Sequence, residues 1–271
     1  MRFVKMHGLG NDVMIARWPA GLAAPSTALV RQWGDRRLGV GFDQLLIVTE
    51  PAPGQAERPY RIFNHDGGEV EQCGNGVRCL AAFLAPEAGS RLELKSRGGS
   101  VEAQVQGGGL VTVSLGEPNF DPASLPFRAP ERRDHYRLRL ASGSVDFGAV
   151  SLGNPHAVIA VDSVELAPVG ILGPEFEAHA DFPLGVNVGF AELVDRTHLK
   201  LRVFERGAGE TPACGTGAAA AVAVGRLWGR LDESVEVMLP GGTLTVRWQG
   251  PGTPLRQTGP TTKVYEGQIE L

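Results

Sequence analysis

The sequence predicts an α+β protein built from two copies of one fold, and the main observation behind this prediction is an internal repeat. Residues 63–76 align without a gap on residues 204–217, at an offset of 141, and six aligned positions are identical. Each window holds a cysteine at the equivalent place, Cys73 in the first and Cys214 in the second. Self-similarity at a fixed offset is typical of duplicated folds. We therefore expect two domains related by a pseudo-two-fold axis, with one thiol in each.

The repeat extends beyond the cysteine windows. Further matches occur in the same order in both halves, at offsets between 141 and 146: residues 9–11 with 152–154, 38–40 with 184–186, 61–63 with 202–204, and 92–101 with 235–244. Chance similarity between glycine-rich turns explains one such match but not five in register. The predicted domains are residues 1–117 and 118–257, and the segment 258–271 is a candidate last strand of the first domain.

Short strands and two buried helices complete the prediction of fold class. Strands are predicted at residues 2–6, 44–49, 61–64, 91–95, 101–106 and 110–115, with three glycines at 107–109 as a hairpin turn. Helices are predicted at residues 27–36 and directly after each repeat cysteine. The last two are apolar almost all round, which is typical of helices buried on every side. The expected architecture is a curved, mostly antiparallel sheet wrapped around a central helix, made twice, with an active site in the cleft between the domains.

Composition excludes several classes of function. A length of 271 residues suits two domains of ordinary size. A net charge of −4 gives no electrostatic footprint for nucleic acid or for an anionic membrane. No apolar run is long enough to span a bilayer, and the N-terminus lacks a signal pattern. Three cysteines, an odd number, argue against a secreted disulfide framework, so a reducing cytoplasm is the expected location.

The two repeat cysteines are the candidate reactive groups. Cys73 and Cys214 each precede a Gly-x-Gly turn and the start of a buried helix, so free N–H groups and the positive end of the helix dipole point towards the sulfur. This position is expected to lower the pKa of both thiols. The N–H groups could also hold a carboxylate, whose Cα would then lie between the sulfurs, and would stabilise the charge that builds up when the α-proton is removed. These groups belong to Gly74, Asn75, Gly215 and Thr216.

Other roles for the cysteines are less well supported by the sequence. A buried cysteine is commonly a small hydrophobic side chain, and this is the interpretation for Cys79, which has no counterpart in the second half. Zinc is disfavoured, because Cys73 and Cys79 have the wrong spacing for a zinc knuckle and neither His65 nor His156 completes a ligand set. No metal is therefore expected. A disulfide between the repeat cysteines would be an inactivated, oxidised form.

Three motifs together resemble the diaminopimelate epimerase family over essentially the whole chain. They are residues 5–12 (KMHGLGND), 73–79 (CGNGVRC) and 213–217 (ACGTG). The resemblance implies an epimerase without a cofactor that converts LL-2,6-diaminopimelate, a small-molecule substrate, to the meso form in lysine and peptidoglycan precursor synthesis. It makes Cys73 the base and Cys214 the acid in that direction, with the roles exchanged in reverse.

The resemblance also implies a set of substrate-binding residues: Asn11, Gln44, Asn64, Gly74, Asn75, Asn154, Asn187, Glu205, Arg206, Gly215 and Thr216. Amides supply donors and acceptors, and an arginine can bind a carboxylate with two parallel hydrogen bonds, which suits a ligand with a second ammonium–carboxylate end. His156 and Glu205 are implied to tune the two thiols, and Tyr265 to lie at a homodimer contact. The sequence departs from the family pattern at His65 and Gly68, where alanine and serine are expected.

Four alternatives stay open at this point. Proline racemases and hydroxyproline epimerases also use paired cysteines, but their first motif resembles Cys-Gly-His-Gly, whereas Asn75 stands between the glycines here. Isomerases of the phenazine pathway lack the cysteine pair. A non-catalytic binding protein could hold a carboxylate at the two helix starts, although it would not need two thiols. A pyridoxal enzyme is a further possibility, but nothing in the chain resembles its lysine and phosphate-binding signature.

Overall fold

The computed structural model describes residues 1–51 and 54–271, and in it the chain forms two compact units. The first unit consists of residues Met1–Ser114 and Thr258–Leu271, and the second of Leu115–Gln257. The repeat predicts a boundary at residues 117–118, and 258–271 as the end of the first domain. Strands outnumber helices in the described residues, so the prediction of a sheet-dominated α+β fold is confirmed.

The first unit is a sheet of mixed direction that contacts a buried helix. Its elements are β1 Arg2–Gly8, β2 Asn11–Arg17, α1 Thr27–Gly34, β3 Gln44–Val48, β4 Arg58–Asn64, β5 Glu69–Val70, α2 Gly74–Leu84, β6 Arg91–Ser96, β7 Gly99–Gly107 and β8 Leu110–Ser114. Neighbouring pairs are antiparallel except β2–β3 and β4–β6, which are parallel. Helix α2 packs against β1, β2, β7 and β8, so its apolar surface is covered on several sides.

The second unit repeats this order of pairing. Its elements are a short 3₁₀ turn Pro122–Ser124, β9 Tyr136–Leu140, β10 Gly143–Ser151, β11 Pro155–Ala160, α3 Val169–Glu177, β12 Asn187–Leu193, β13 His198–Glu205, β14 Gly209–Thr211, α4 Gly215–Leu227, β15 Ser234–Leu239 and β16 Gly242–Arg247. Strand pairs β11–β12 and β13–β15 are parallel and the other neighbours antiparallel. This is the pattern of the first unit, and it supports the interpretation of a duplicated fold.

The last two strands are β17 Arg256–Pro260 and β18 Thr262–Gln268. Strand β18 pairs antiparallel with β1 along its length, from Arg2 opposite Gln268 to His7 opposite Thr262. The end of the chain therefore supplies a strand to the first unit. Of the residues described, no helix is long and apolar enough to cross a lipid bilayer.

Most predicted elements of the first half are confirmed to within a few residues. The hairpin turn is also confirmed: Gly107, Gly108 and Gly109 all have positive φ, a region that glycine enters without a steric penalty, and they join β7 to β8. Helix α1 ends two residues earlier than expected. The reason is Asp35, whose carboxylate accepts from the backbone N–H groups of Arg37 and Leu38, at 2.7 and 2.8 Å, and so favours a turn over another helical residue.

Helix α3 was not predicted from the sequence. This helix contains Pro174 and two glycines, and no side chain caps its start. Its stability therefore depends on packing. Gly173 lies against the ring of Phe204 on β13, so closely that a Cβ at Gly173 would be 2.4 Å from Cγ of the ring.

Replacing Gly173 by alanine is expected to destabilise the protein by about 1–3 kcal/mol, because the added methyl group overlaps Phe204. Gly170 in the same helix is a matched control, since a Cβ there meets no atom of the described residues within 4 Å. Gly170→Ala is expected to be neutral or to stabilise by up to about 1 kcal/mol. The free energy of unfolding in urea checks both values. Equal stability of the two variants would contradict the packing argument.

Candidate active site

The first repeat cysteine lies at the start of a helix, as predicted. Cys73 is the N-cap of α2, with an extended backbone, and its sulfur accepts from the backbone N–H of Gly76 at 3.5 Å. The thiol also lies 3.5 Å from Oδ1 of Asn11, to which it can donate. A Cβ at Gly76 would lie 3.2 Å from the side chain of Leu46, tighter than most such contacts, so a larger residue there would require Leu46 to shift. The Gly-x-Gly turn thus allows the first turn of α2 to pack closely against β3.

Helix α2 buries a charged residue that the sequence analysis did not single out. Arg78 is fully buried, and its guanidinium donates to Oδ1 of Asn75. Burial lowers the pKa of Arg78 to about 10, a shift that negative charge on Cys79 or Cys73 would oppose. With a pKa of about 10 the guanidinium still carries its charge at neutral pH. Burial also raises the pKa of Cys79 to about 12. Cys79 is therefore a protonated core side chain, as predicted.

Two of the predicted amide side chains of the first unit lie at neighbouring strand ends. Gln44 begins β3 and faces Asn64 at the end of β4, and Nε2 of Gln44 donates to Oδ1 of Asn64 at 3.2 Å. The oxygen Oε1 of Gln44 is buried and has no hydrogen-bond partner in the described part of the chain. An unsatisfied buried acceptor calls for a donor, and a ligand ammonium is one such group.

The two departures from the family pattern lie in the turn that follows β4. His65 is exposed, and its backbone N–H donates to the carbonyl of Asp43 at 3.0 Å. The N–H of Gly68 donates to the carboxylate of Asp66 at 2.8 Å, and its carbonyl accepts from the N–H of Asn64. Both positions therefore support the backbone around Asn64.

The second repeat cysteine is more deeply buried, and its thiol contacts a carboxylate. Cys214 is the N-cap of α4 and is 3 % exposed, and its sulfur lies 3.0 Å from Oε2 of Glu205. Burial, followed by Glu205, raises the pKa of Cys214 well above its ordinary value, and the opposing effects of the Gly217 N–H and Thr216 are smaller. The expected lowering of this pKa is therefore wrong. A helix dipole contributes about 0.3–1 kcal/mol, less than burial beside a carboxylate costs a thiolate.

A second hydrogen bond holds the carboxylate of Glu205 in place. Glu205 ends β13, and β14 returns antiparallel to it through a short turn. The hydroxyl of Thr211 on β14 donates to Oε1 of Glu205, while Oε2 accepts from Cys214. Thr211 is a functional candidate that the sequence analysis missed. It is adjacent to Glu210 of the repeat window, and only the hairpin geometry brings it to Glu205.

A chain of hydrogen bonds connects His156 to Cys214. Nε2 of His156 lies 3.1 Å from Oδ1 of Asn154, Nδ2 of Asn154 donates to Oγ1 of Thr216 at 3.3 Å, and this hydroxyl is 3.7 Å from the Cys214 sulfur. Because Nδ2 of Asn154 donates to Thr216, its Oδ1 faces His156, and Nε2 must carry the imidazole proton. Burial, with the charge of Arg206, lowers the pKa of His156 to about 3, so the ring is neutral.

Asn187 and Arg206 are connected through the backbone. Asn187 is buried; its Nδ2 donates to the Pro155 carbonyl at 2.9 Å, and its Oδ1 accepts from the Arg206 N–H at 3.0 Å. The guanidinium of Arg206 is exposed and donates to the Leu184 carbonyl at 3.1 Å. Asn187 thus fixes the backbone that presents Arg206, and a direct contact of either residue with a ligand stays a prediction.

The remaining predicted residue lies on β18. Tyr265 is 43 % exposed, and its ring packs edge-on against Phe3, with the centroids 6.0 Å apart. A dimer contact at this residue stays a prediction. Among the described residues, no group of three or more histidine, cysteine, aspartate or glutamate side chains is arranged to hold a metal ion.

Solved structures show which class of fold this is. A hydroxyproline epimerase from Agrobacterium vitis matches with a TM-score of 0.71 and 19 % identity, covering 99 % of this chain and 92 % of that one. A phenazine biosynthesis protein of the PhzF family from Bacillus anthracis matches with a TM-score of 0.70 and 17 % identity, covering 100 % and 99 %. At these identities the likeness concerns the fold alone, a class shared by epimerases, racemases and phenazine-pathway proteins.

Sequence comparison identifies the family within that class. The family model for diaminopimelate epimerase matches residues 3–120 and 148–264. A diaminopimelate epimerase from Ectopseudomonas mendocina is 50 % identical over 276 residues, and one from Stutzerimonas stutzeri is 48 % identical over 274, each covering 100 % of this chain and 99 % of the relative. The chain belongs to the diaminopimelate epimerase family, an isomerase family, and the resemblance inferred from the three motifs is confirmed.

Proposed function

We propose that this protein converts LL-2,6-diaminopimelate to meso-diaminopimelate without a cofactor, as a step towards lysine and peptidoglycan precursors in the cytoplasm. The relatives that are about half identical over the whole chain carry the name diaminopimelate epimerase. The observation that carries the proposed mechanism is the difference between the surroundings of the two sulfurs. Cys214 is held as a protonated thiol beside Glu205, whereas Cys73 accepts a helix N–H and interacts with the buried cation Arg78.

In the proposed mechanism the two sulfurs have opposite tasks. In the direction from LL to meso, the Cys73 thiolate takes the α-proton, the electron pair of the C–H bond moves towards the carboxylate, and Cys214 gives its proton to the other face of the carbon. The products are a Cys73 thiol and a Cys214 thiolate, so the reverse reaction exchanges the roles. A thiol with a raised pKa suits the acid, because it is protonated before each turnover.

The remaining predicted residues are proposed to bind the substrate. The N–H groups at the helix starts, from Gly74, Asn75, Gly215 and Thr216, suit a carboxylate, because helix N-termini carry free donors and partial positive charge. The unsatisfied Oε1 of Gln44 supports an ammonium contact. The side chains proposed for the distal end are Asn64, Asn187 and Arg206, whereas Asn11, Asn154 and Glu205 are proposed to act at the reacting end, beside the two sulfurs. His156 is proposed to act on Cys214 through Asn154 and Thr216, and Tyr265 to lie at a homodimer contact.

Incubation of stereochemically pure LL-diaminopimelate in D₂O tests this function. The meso isomer is expected to form, with deuterium at the inverted α-carbon, because the proton returned by Cys214 exchanges with solvent. Chiral separation with mass spectrometry measures both. L-proline and trans-4-hydroxy-L-proline are the control substrates and are expected to stay unlabelled. Labelling of proline with no change in diaminopimelate would replace the proposal with a proline racemase, and no labelling of any substrate would favour a binding protein.

A further inference from the structure

The Asn11 side chain in the first unit lies between a carboxylate and the Cys73 thiol. Nδ2 of Asn11 donates to Oδ2 of Asp43 at 3.2 Å, and Oδ1 of Asn11 lies 3.5 Å from the sulfur of Cys73. An amide has one end that donates and one that accepts, so its two possible orientations present different groups to the sulfur. The partner on the far side of the amide decides which orientation is adopted.

Asp43 presents an acceptor oxygen to Asn11. Its Oδ2 accepts from Asn11 and from the backbone N–H of Asp12 at 3.0 Å, and its Oδ1 accepts from Arg36 at 2.6 Å. Two of these donors, the Asp12 N–H and Arg36, do not depend on how the Asn11 amide is turned, and the first of them requires Oδ2 to be an acceptor. The reverse orientation of the Asn11 amide would place its oxygen against this carboxylate. Asp43 therefore requires Nδ2 on its own side, which leaves Oδ1 for Cys73.

The surrounding charges hold Asp43 in position. Arg36 binds the Asp12 carboxylate through two nitrogens at 2.9 and 2.8 Å, and the ammonium of Lys5 is 2.6 Å from the same carboxylate. Burial raises the pKa of Asp12, but Arg36 and Lys5 outweigh it and hold this pKa well below its usual range. Burial, followed by a side-chain hydrogen bond with Asp12 and the Asp12 charge, raises the pKa of Asp43, while the Asp12 N–H and Arg36 oppose that rise.

We infer that Asp43 is a positioning residue that locks the Asn11 amide with its oxygen, and not its nitrogen, towards the Cys73 sulfur. The oxygen accepts the S–H proton and offers no donor to a thiolate. An amide N–H at this place would stabilise the thiolate and weaken it as a base. This fixed orientation of the Asn11 amide, called the lock below, therefore keeps the Cys73 thiolate strongly basic. Its contribution to catalysis rests on the proposed function. Asn154, the repeat counterpart of Asn11, is arranged differently, between His156 and Thr216.

The pH dependence of Cys73 alkylation by iodoacetamide tests the lock. The full chain is used in its reduced form, and mass spectrometry of the peptide that contains Cys73 separates it from Cys79 and Cys214. In Asp43→Asn the new side chain has one oxygen for two donors, the Asp12 N–H and Arg36. When that oxygen faces Arg36, the NH₂ group faces Asn11 and favours the Asn11 oxygen, so Nδ2 of Asn11 can turn to a thiolate. The alkylation midpoint is expected to fall by about one pH unit, the size of one hydrogen bond to a charged group.

Two further variants distinguish an effect of the Asn11 orientation from an effect of losing one negative charge near Cys73. Asp12→Asn removes a carboxylate of the same ionic cluster without touching the Asn11 side chain, and it is expected to leave the midpoint in place. In an Asn11→Leu background there is no amide to turn, so Asp43→Asn is expected to have no further effect. Tyr60, Arg78 and Cys79, which also interact with the Cys73 thiol, are the same in every variant.

Three results would overturn the inference: equal shifts in Asp43→Asn and Asp12→Asn, a shift that persists in the Asn11→Leu background, or no shift in Asp43→Asn. If Asp43→Asn is too unstable for the measurement, Asp43→Ala repeats it, because the acceptor is lost there as well. Alkylation needs no turnover. A shift in a chain that leaves diaminopimelate unchanged would therefore reject the proposed function and retain the lock.

Discussion

Cys214→Ala is expected to abolish the conversion of LL- to meso-diaminopimelate, by about 10³-fold or more, since a positioned acid or base contributes about 10²–10⁴-fold. The same variant is expected to keep exchanging the α-proton of the LL substrate with solvent. Cys73 can still remove that proton and return a solvent-derived one to the same face, which gives labelling without inversion. Incubation in D₂O, followed by chiral separation and mass spectrometry, measures inversion and labelling separately.

Cys73→Ala is the corresponding variant of the first repeat cysteine. It is expected to abolish both inversion and labelling of the LL substrate, because the base for that face is gone. The D-centre of the meso isomer should still exchange, through Cys214. Cys79→Ala is the matched control, since Cys79 lies in the same helix, is fully buried and takes no part in the proposed chemistry. Near-normal inversion in either repeat-cysteine variant would remove the two-base mechanism.

The positions of the two cysteines could be predicted because the signals are local. A cysteine followed by Gly-x-Gly and an apolar run places an N-cap and a buried helix within a few residues, and Cys73 and Cys214 are the N-caps of α2 and α4. Strands of the first half were predictable for the same reason, from alternation bounded by turn residues. Helix α3 was not, because Gly170, Gly173 and Pro174 lower its local propensity, and its stability depends on packing against other elements, such as Phe204 on β13.

The chemistry around each sulfur was harder to predict, because it depends on contacts between separate elements. The effect of a helix start on Cys214 could be predicted, but not the depth of burial that outweighs it. Asp43 and Thr211 act on residues far along the chain or across a hairpin, at contacts that strand register brings about. Arg78 was visible as one charge in an apolar helix, a pattern that has no interpretation until its burial and its contact with Asn75 are known.

Glu205→Gln is expected to lower the pKa of Cys214 and to reduce kcat/KM for diaminopimelate by about 10- to 100-fold at neutral pH, part of the full contribution of an acid. The reason lies in the two contacts of the carboxylate. Thr211 donates to one oxygen, so the glutamine oxygen should take that place and its NH₂ group should face the sulfur. A donor then replaces an acceptor and a negative charge is lost. Both changes favour the thiolate, so Cys214 would hold its proton less well.

The pH profile of kcat/KM separates this effect from a general loss of structure. Its basic limb reports the group that must be protonated in the free enzyme, which is Cys214 for the LL substrate, so the limb is expected to move to lower pH in Glu205→Gln. Glu210→Gln is the matched control, because Glu210 lies on β14 and pairs with Arg202 at 2.6 Å instead of contacting Cys214. It should leave the limb in place. A basic limb that stays fixed in Glu205→Gln, or moves equally in both variants, would show that Glu205 does not hold the proton on Cys214. The asymmetry between the two sulfurs would then need another origin.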